Sequence, residues 1–298
     1  MNILISGASG LIGSALRPYL ESKGHQVYIL HRGRDSGSFF WQPEKDLIHL
    51  DNDIHLDAVI NLNGVNIGDK PWSAQRKRAI IDSRVQSTAL LSQAIAERFA
   101  PPSVFINASA IGFYGDTGST EVNESSPAGN NFLTDIVRQW EAAAQPAIED
   151  GIRTVFIRSG VVLTPQGGAL KKMLLPFKFG LGGKMGNGQQ FMSWISLTDE
   201  LRAIHFILNQ TTLSGPINLT APNPVTNIDF TKALGRTLKR PTLLHMPSFL
   251  VKTLFGEMGD LLLLGSNRVI PNVLLNHGFQ FMHKDIEHAL ESELKKQQ

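Results

Sequence analysis

Apolar residues along the first 165 positions follow two alternating rhythms. Nearly unbroken apolar runs, ILIS (3–6), VYILH (27–31), DAVINL (57–62), SVFINAS (103–109) and RTVFIRSGVVL (153–163), are rich in β-branched side chains and read as strands buried on both faces. Between them, apolar positions recur at helical spacing in LIGSALRPYLESKG (11–24), which ends on Gly24, in QRKRAIIDSRVQSTALLSQAIAERF (75–99) and in DIVRQWEAAAQPAI (135–148). Buried strands alternating with helices predict a doubly wound α/β fold: a parallel sheet covered on both faces and joined by right-handed crossovers.

After Thr164 the rhythm changes. PQGGALKKMLLPFKFGLGGKMGNGQQ (165–190) crowds Gly180, Gly182, Gly183, Gly186 and Gly188 together, which reads either as a hairpin of tight turns or as a mobile cover over a ligand. A strand and helix in WISLTDELRAIHFIL (194–208) and a strand in GPINLT (215–220) are expected to return to the sheet. VTNIDFTKALGRTLKRP (225–241) places Thr226 three residues before Asp229, a capping-box-like helix start, and closes at Pro241. The remainder, to Gln298, reads as mixed helix with short strands.

Composition narrows the chemistry. At 298 residues, 42% hydrophobic and 18% charged, the chain can build one full core plus a lobe. The formal charge is only +2 and the single dense basic run, Arg76 to Arg78, reads as a solvated helix face, so no nucleic-acid partner is expected. With no cysteine and no His-x-x-x-His pair among nine histidines, disulfides, thiolate zinc sites and a metal centre are not expected. The chain enters a strand at once, and its most apolar late region (249–265) carries Lys252, Glu257 and Asp260. That pattern predicts a cytoplasmic protein with no membrane partner.

Gly7, Gly10 and Gly13 form G-x-x-G-x-x-G between the first strand and the first helix. The turn needs unusual dihedrals, a Cβ would block a pyrophosphate nearing the backbone, and the helix must pack closely on the strand. The helix N-terminus adds free N–H groups and a partial positive charge. Gly7, Ser9, Gly10, Leu11, Ile12 and Gly13 are therefore assigned to a dinucleotide cradle of the Rossmann type. An acidic selector for an adenosine 2′-hydroxyl is missing at the end of the second strand, where His31 and Arg32 stand instead. A guanidinium there suits a 2′-phosphate, which points to NADP(H); the other reading of Arg32 is a solvent-facing side chain. On this basis residues 1–165 and 194–221 are expected to form the NADP-binding Rossmann domain. Residues 166–193 and 222–298 would form a smaller substrate-side C-terminal lobe.

SGASGLIG, NLNG (61–64), SAIGFYGD and IRSGVVL resemble the extended branch of the short-chain dehydrogenases/reductases. DKPWSAQRKRAIIDSRVQST, LLPFKFGLGGKMGNGQQFMSWISLTD and GSNRVIPNVLLNHGFQF are similar to an atypical subgroup of it, the YfcH-like epimerase family with a C-terminal domain of unknown function. The resemblance implies that Leu62, Asn63 and Gly64 run past the adenosine half of the cofactor. It implies that Arg84 faces the cofactor, unless it is an ordinary helix-surface charge, and that Val161 and Val162 lie beside the nicotinamide. Trp194 and Asp199 would fix a loop and a helix cap. The helices at 75–99 and 135–148 are similar to the pair that builds dimers in extended relatives, which implies a homodimer.

The resemblance breaks at its catalytic pair. Extended members carry Tyr-x-x-x-Lys on the helix after the fifth strand, whereas NNFLTDIVRQWE (130–141) offers Phe132 or Leu133 and Ile136 or Val137. None of these carries a proton. Ser109 and Tyr114, just past the strand end, are the candidates left. Ser109 either polarises a carbonyl or satisfies local backbone, and Tyr114 either acts as the acid or lines the pocket. The expected activity is an NADP(H)-dependent oxidoreductase or epimerase on a small polar carbonyl or hydroxyl compound, a class that includes the nucleotide sugars. A non-catalytic module that senses NADP(H) is the alternative.

Overall fold

In a computed structural model of the chain, which describes residues 1–33 and 37–295, the apolar runs assemble into one eight-stranded sheet. Its strands are β1 (Asn2–Ser6), β2 (Gln26–Arg32), β3 (Phe39–Gln42), β4 (Leu47–Leu50), β5 (Ala58–Asn61), β6 (Val104–Ala110), β7 (Arg153–Ser159) and β8 (Gly215–Leu219). They lie in the order β8-β7-β6-β5-β1-β2-β3-β4, parallel except for β4, which runs against β3. The chain winds outward from β1 in both directions. The strand order therefore reverses between β1 and β5, where a crevice opens at the carboxyl ends of the strands.

Side-chain alternation divides the core. Ile3, Ile5, Ile60, Ile106, Ile157 and Ile217 face one side, packed with Leu16 and Leu20 of α1 (Leu11–Ser22) and with Ile204 and Ile207 of a later helix, Leu197–Asn209. Leu4, Val59, Phe105 and Phe156 face the other, against Leu91 and Ile95 of α2 (Ala74–Ala96). Apolar side chains at successive positions follow because both faces are covered. A third cluster joins Trp194 to α4 (Gly168–Lys178), α6 (Asn227–Leu238) and α8 (Ile286–Lys295).

The structure departs from the sequence expectations in five places. The helix expected over 135–148 is two: α3 (Phe132–Ala142) and a short helix at Gln145–Glu149, because Pro146 has no N–H with which to continue the first. The run at 153–163 is not one strand. It breaks at Gly160, where a Cβ would stand 2.7 Å from the Ser193 carbonyl oxygen, and Val161–Leu163 leaves the sheet to pair with Trp194–Ser196. For the same reason Trp194–Ser196 does not return to the main sheet, although α5 (Leu197–Asn209) packs on it. The glycine-rich segment is not a hairpin: Gly183–Met185 runs parallel to Leu244–Met246, and Phe191–Met192 antiparallel to Val225–Thr226. The short β3 and β4 were not anticipated.

The start of α6 is as expected, with Thr226 Oγ1 accepting the Asp229 N–H at 3.3 Å. The next helix, α7 (Ser248–Gly259), is broken by Gly256 at φ 57°. Among the described residues no helix is long and apolar enough to cross a membrane, and no group of three or more His, Cys, Asp or Glu could hold a metal ion.

Candidate functional site

The turn from β1 into α1 sits at the crevice, and its glycines are there for lack of a side chain. Gly7 has φ +73° and a Cβ on it would stand 2.6 Å from the Leu62 carbonyl oxygen; one on Gly13 would stand 2.3 Å from the Gly7 oxygen. The two turns at the strand-order reversal therefore touch backbone to backbone. Gly10 caps α1 without a side chain, and the Ser14 N–H is the one that bonds back to Gly10. The amides of Leu11, Ile12 and Gly13 precede that first helical bond, and Ser9 and Gly10 are exposed beside them. A bare backbone bend at a helix N-terminus fits a diphosphate.

Behind the cradle, neighbouring strands carry polar residues at one level, Ser6 and Asn61 ending β1 and β5 and Asn107 standing mid-way along β6. Ser6 Oγ donates to Asn61 Oδ1 at 2.5 Å, and Asn61 Nδ2 donates to Asn107 Oδ1 at 2.7 Å and to Thr88 Oγ1 at 2.9 Å. Trp140 Nε1 of α3 also donates to Thr88 Oγ1, at 3.0 Å. This buried web locks the ends of β1 and β5 and the middle of β6 to α2 and α3. The loop leaving it carries the next assigned residues. Asn63 N–H donates to Asn61 Oδ1 at 3.4 Å, and Gly64, at φ +154°, lies so near Arg84 that a Cβ would be 3.2 Å from the guanidinium carbon. Arg84 donates to the carbonyls of Ile80 and Val65, each at 3.1 Å, and its guanidinium lies 5.0 Å from the Trp140 ring centre. Among the described residues it pairs with no carboxylate, and desolvation, with a smaller effect of Arg76, lowers its pKa to about 10. A desolvated cation held only by carbonyls next to the cradle suits an electron-rich ligand.

At the end of β2, His31 and Arg32 are exposed. The structure supplies what the sequence reading lacked, an acidic neighbour: Arg32 Nη2 lies 3.0 Å from Glu44 Oε2. A backbone N–H and the Arg32 guanidinium together hold the Glu44 carboxyl below its usual range.

Ser109 and Tyr114 are brought together, and both hydroxyls are already engaged. Ser109 Oγ donates to Glu141 Oε1 at 2.6 Å, while Arg158 binds the same carboxylate through Nε and Nη2, each at 2.8 Å. Arg158 Nη1 also donates to Tyr114 Oη at 3.2 Å, and that hydroxyl donates to Asn218 Oδ1 at 2.8 Å. The Arg158 guanidinium is stacked 3.4 Å from the centre of the Phe113 ring. Burial raises the Tyr114 pKa further than nearby Arg158 can lower it, the reverse of an activated tyrosine. Asn218 extends the network to Glu124, whose Oε1 accepts the N–H groups of Asn218 and Val273 at 3.1 and 3.2 Å. On α3, Leu133, Val137 and Glu141 recur every four residues and share one face, so a carboxylate stands one turn beyond Leu133 and Val137, one of the two apolar pairs expected near the Tyr-x-x-x-Lys positions.

Val161 packs into the Trp194 cluster, and its N–H donates to the Ser193 carbonyl at 2.9 Å. Trp194 and Asp199 hold structure: Trp194 Nε1 donates to the Asn223 carbonyl, and the Asp199 carboxylate accepts the N–H groups of Met282 and His283. On α5, Glu200 is fully buried. It accepts from Ser159 Oγ at 2.6 Å, its other oxygen has no partner among the described residues, and desolvation raises its pKa to about 8. Sequence reasoning passed over Asn61, Thr88, Asn107, Glu141, Arg158 and Glu200. The polar residue ending or interrupting an apolar strand run (Asn61, Asn107, Arg158) was a usable signal; nothing local distinguishes Glu141 or Glu200.

The pattern of the NAD dependent epimerase/dehydratase family matches residues 3–219, and a domain of unknown function, DUF1731, matches residues 246–293. An epimerase family protein of Mycobacterium tuberculosis is 46% identical over 290 residues, covering 97% of this chain and 96% of its own. The crystal structure of human epimerase family protein SDR39U1 (isoform 2) with NADPH superposes with a TM-score of 0.91 at 33% identity, covering 99% of each chain. A Thermus thermophilus UDP-glucose 4-epimerase complex with NAD, 16% identical over 99% of each chain with a TM-score of 0.74, shares the fold. With the cradle at the crevice and a match over most of its length, the chain belongs to the NAD dependent epimerase/dehydratase family.

Proposed function

We propose that the chain binds NADP(H) in this cradle and acts as a short-chain dehydrogenase/reductase-like oxidoreductase or epimerase on a small polar carbonyl or hydroxyl compound, a nucleotide sugar being one such class. The observation that carries this reading is the bare N-terminus of α1 at the strand-order reversal, where the amides of Leu11, Ile12 and Gly13 precede the first helical bond and no side chain caps them. Residues 1–165 and 194–221 would hold the cofactor, with 166–193 and 222–298 on the substrate side. The NADPH-bound human relative and the Arg32 guanidinium support NADP(H) over NAD(H), with a 2′-phosphate replacing Glu44 as the partner of Arg32. When bound, the cofactor supplies or accepts the hydride.

The chain's own residues then handle the proton. A substrate hydroxyl would give its proton to Ser109 Oγ as that oxygen passes its own to Glu141 Oε1, and reduction would run the relay backwards. Arg158 aims the carboxylate by its two-point contact, and Tyr114 lines the wall. Purified protein with NADPH and a panel of carbonyl compounds tests the reading. Ser109→Ala should cut turnover by about 10²–10⁴-fold while leaving NADPH affinity intact. Turnover unchanged in that variant would remove the relay.

One feature favours a second reading, a non-catalytic module that responds to NADP(H). Tyr114 is locked in a buried network, and Ile136 and Val137 are buried where a lysine would assist it. Tight NADPH binding with no turnover across the panel would decide for it.

A further inference from the structure

The glycine-rich segment and the chain after α6 carry charge and apolar surface in an unusual arrangement. Cations and anions nearly balance overall, 28 to 26, yet residues 168–198 and 230–256 contain no Asp or Glu at all. They hold Lys171, Lys172, Lys178, Lys184, Lys232, Arg236, Lys239, Arg240 and Lys252. The two stretches are neighbours in space. Gly183–Met185 pairs with Leu244–Met246, Arg240 Nε donates to the Lys178 carbonyl at 2.9 Å, and a Cβ on Gly180 would touch Pro241 at 3.6 Å. Arg236 and Lys252 are ion-paired, to Glu287 and Asp260, while Lys171, Lys178, Lys232, Lys239 and Arg240 meet no carboxylate among the described residues.

The same segments push large apolar side chains into solvent. Phe179 is 73% exposed, Leu243 89% and Phe249 70%, with Leu175, Leu181 and Leu254 each more than half exposed. Side chains this exposed project from the surface. They come from the end of α4, the segment before Leu244–Met246 and the first turns of α7, so the exposure does not belong to one frayed helix.

We propose that this face docks on an anionic lipid surface, with Phe179, Leu243 and Phe249 entering the headgroup boundary and the lysines lying among the phosphates. Charge complementarity selects that occupant. A second copy meeting this face about a two-fold axis would set like charges against each other. Protruding apolar side chains beside unpaired lysines are what an acyl boundary under acidic headgroups accepts, the alkyl stems lying on the apolar layer and the ammonium groups reaching the phosphates. The expectation of no membrane partner rested on the lack of a spanning segment, and peripheral docking needs none. The inference is independent of the proposed activity.

The test is cosedimentation of the full chain with vesicles of phosphatidylcholine alone and of phosphatidylcholine mixed equally with phosphatidylglycerol. Binding to the mixed vesicles only, weakened by salt, is expected. The double variant Lys178→Glu, Lys239→Glu should lose at least about tenfold in affinity, since each cation near an anionic surface contributes roughly fivefold. The triple variant Phe179→Ser, Leu243→Ser, Phe249→Ser should lose about tenfold or more. All five side chains are exposed, so thermal melts matching the parent are expected and verify folding. Equal binding to both vesicles, no binding to either, or full binding by either folded variant overturns the proposal. So does a concentration-dependent dimer abolished by the triple variant, which assigns the face to a second copy. Equally tight binding to soluble polyglutamate, insensitive to the triple variant, assigns it to an acidic protein and also overturns it.

Discussion

The Glu200 carboxyl has one hydrogen-bond donor, no cation partner among the described residues, and no exposed surface. Desolvation raises its pKa from 4.5 to about 8. The folded protein therefore keeps a proton that the unfolded chain releases. Below 4.5 both states hold the proton and the burial penalty is absent; above 8 both have lost it and the penalty is complete. Between those limits the unfolded state binds fewer protons, so stability falls as pH rises, by about 1.4 kcal/mol per unit at most. A window of about 3.5 units sets a ceiling of about 5 kcal/mol. Glu200→Gln keeps an oxygen for Ser159 and cannot ionise. Its extra N–H donors add a pH-independent cost of about 1–3 kcal/mol, leaving only the slope to distinguish the two proteins. Urea unfolding of both from about pH 5 to about pH 8 should show the stability difference swinging toward the glutamine variant by several kcal/mol. Parallel curves would refute the reasoning, since they would mean that the carboxyl ionises in the folded state as freely as in water.

Two further outcomes test the cradle. Gly13→Ala forces a Cβ to 2.3 Å from the Gly7 oxygen, which should cost about 3 kcal/mol in stability and at least tenfold or so in NADPH affinity; a melt and a titration matching the parent would contradict the close approach. Glu44→Gln removes the exposed partner of Arg32 and should tighten NADPH binding about two- to fivefold with NADH unchanged, while Arg32→Gln weakens NADPH alone. Equal responses to the two nucleotides would dismiss Arg32 as the selector.

How far the sequence reached differs between cradle and catalytic groups. Gly7, Gly10 and Gly13 were legible because the constraint is local: their spacing, the strand before and the helix after lie within the opening residues. Arg32 was legible as a cation at a strand end, but its pairing with Glu44 depends on β3 and the turn after it, which carry only a weak periodic signal. Ser109 and Tyr114 were legible as candidates. Their engagement by Glu141, Arg158 and Asn218 was not, because the partners lie 32 to 104 positions away along the chain in bonds made only when α3, β7 and β8 meet.

Taken alone, the order of apolar and polar residues determined six strands of the main sheet, most of the helices between them and the glycine turn that opens the first helix, because each follows from contacts between near neighbours or from the need to bury both faces of a strand. Tertiary structure decided the rest. It split 153–163 at Gly160, tied the glycine-rich segment to the C-terminal half, turned two candidate hydroxyls into members of a buried ion-pair network, and closed Glu200 off from the surface. Those outcomes depend on where distant segments come to rest and how much solvent they exclude, and desolvation is a property of the assembled core rather than of any residue's neighbours in the chain.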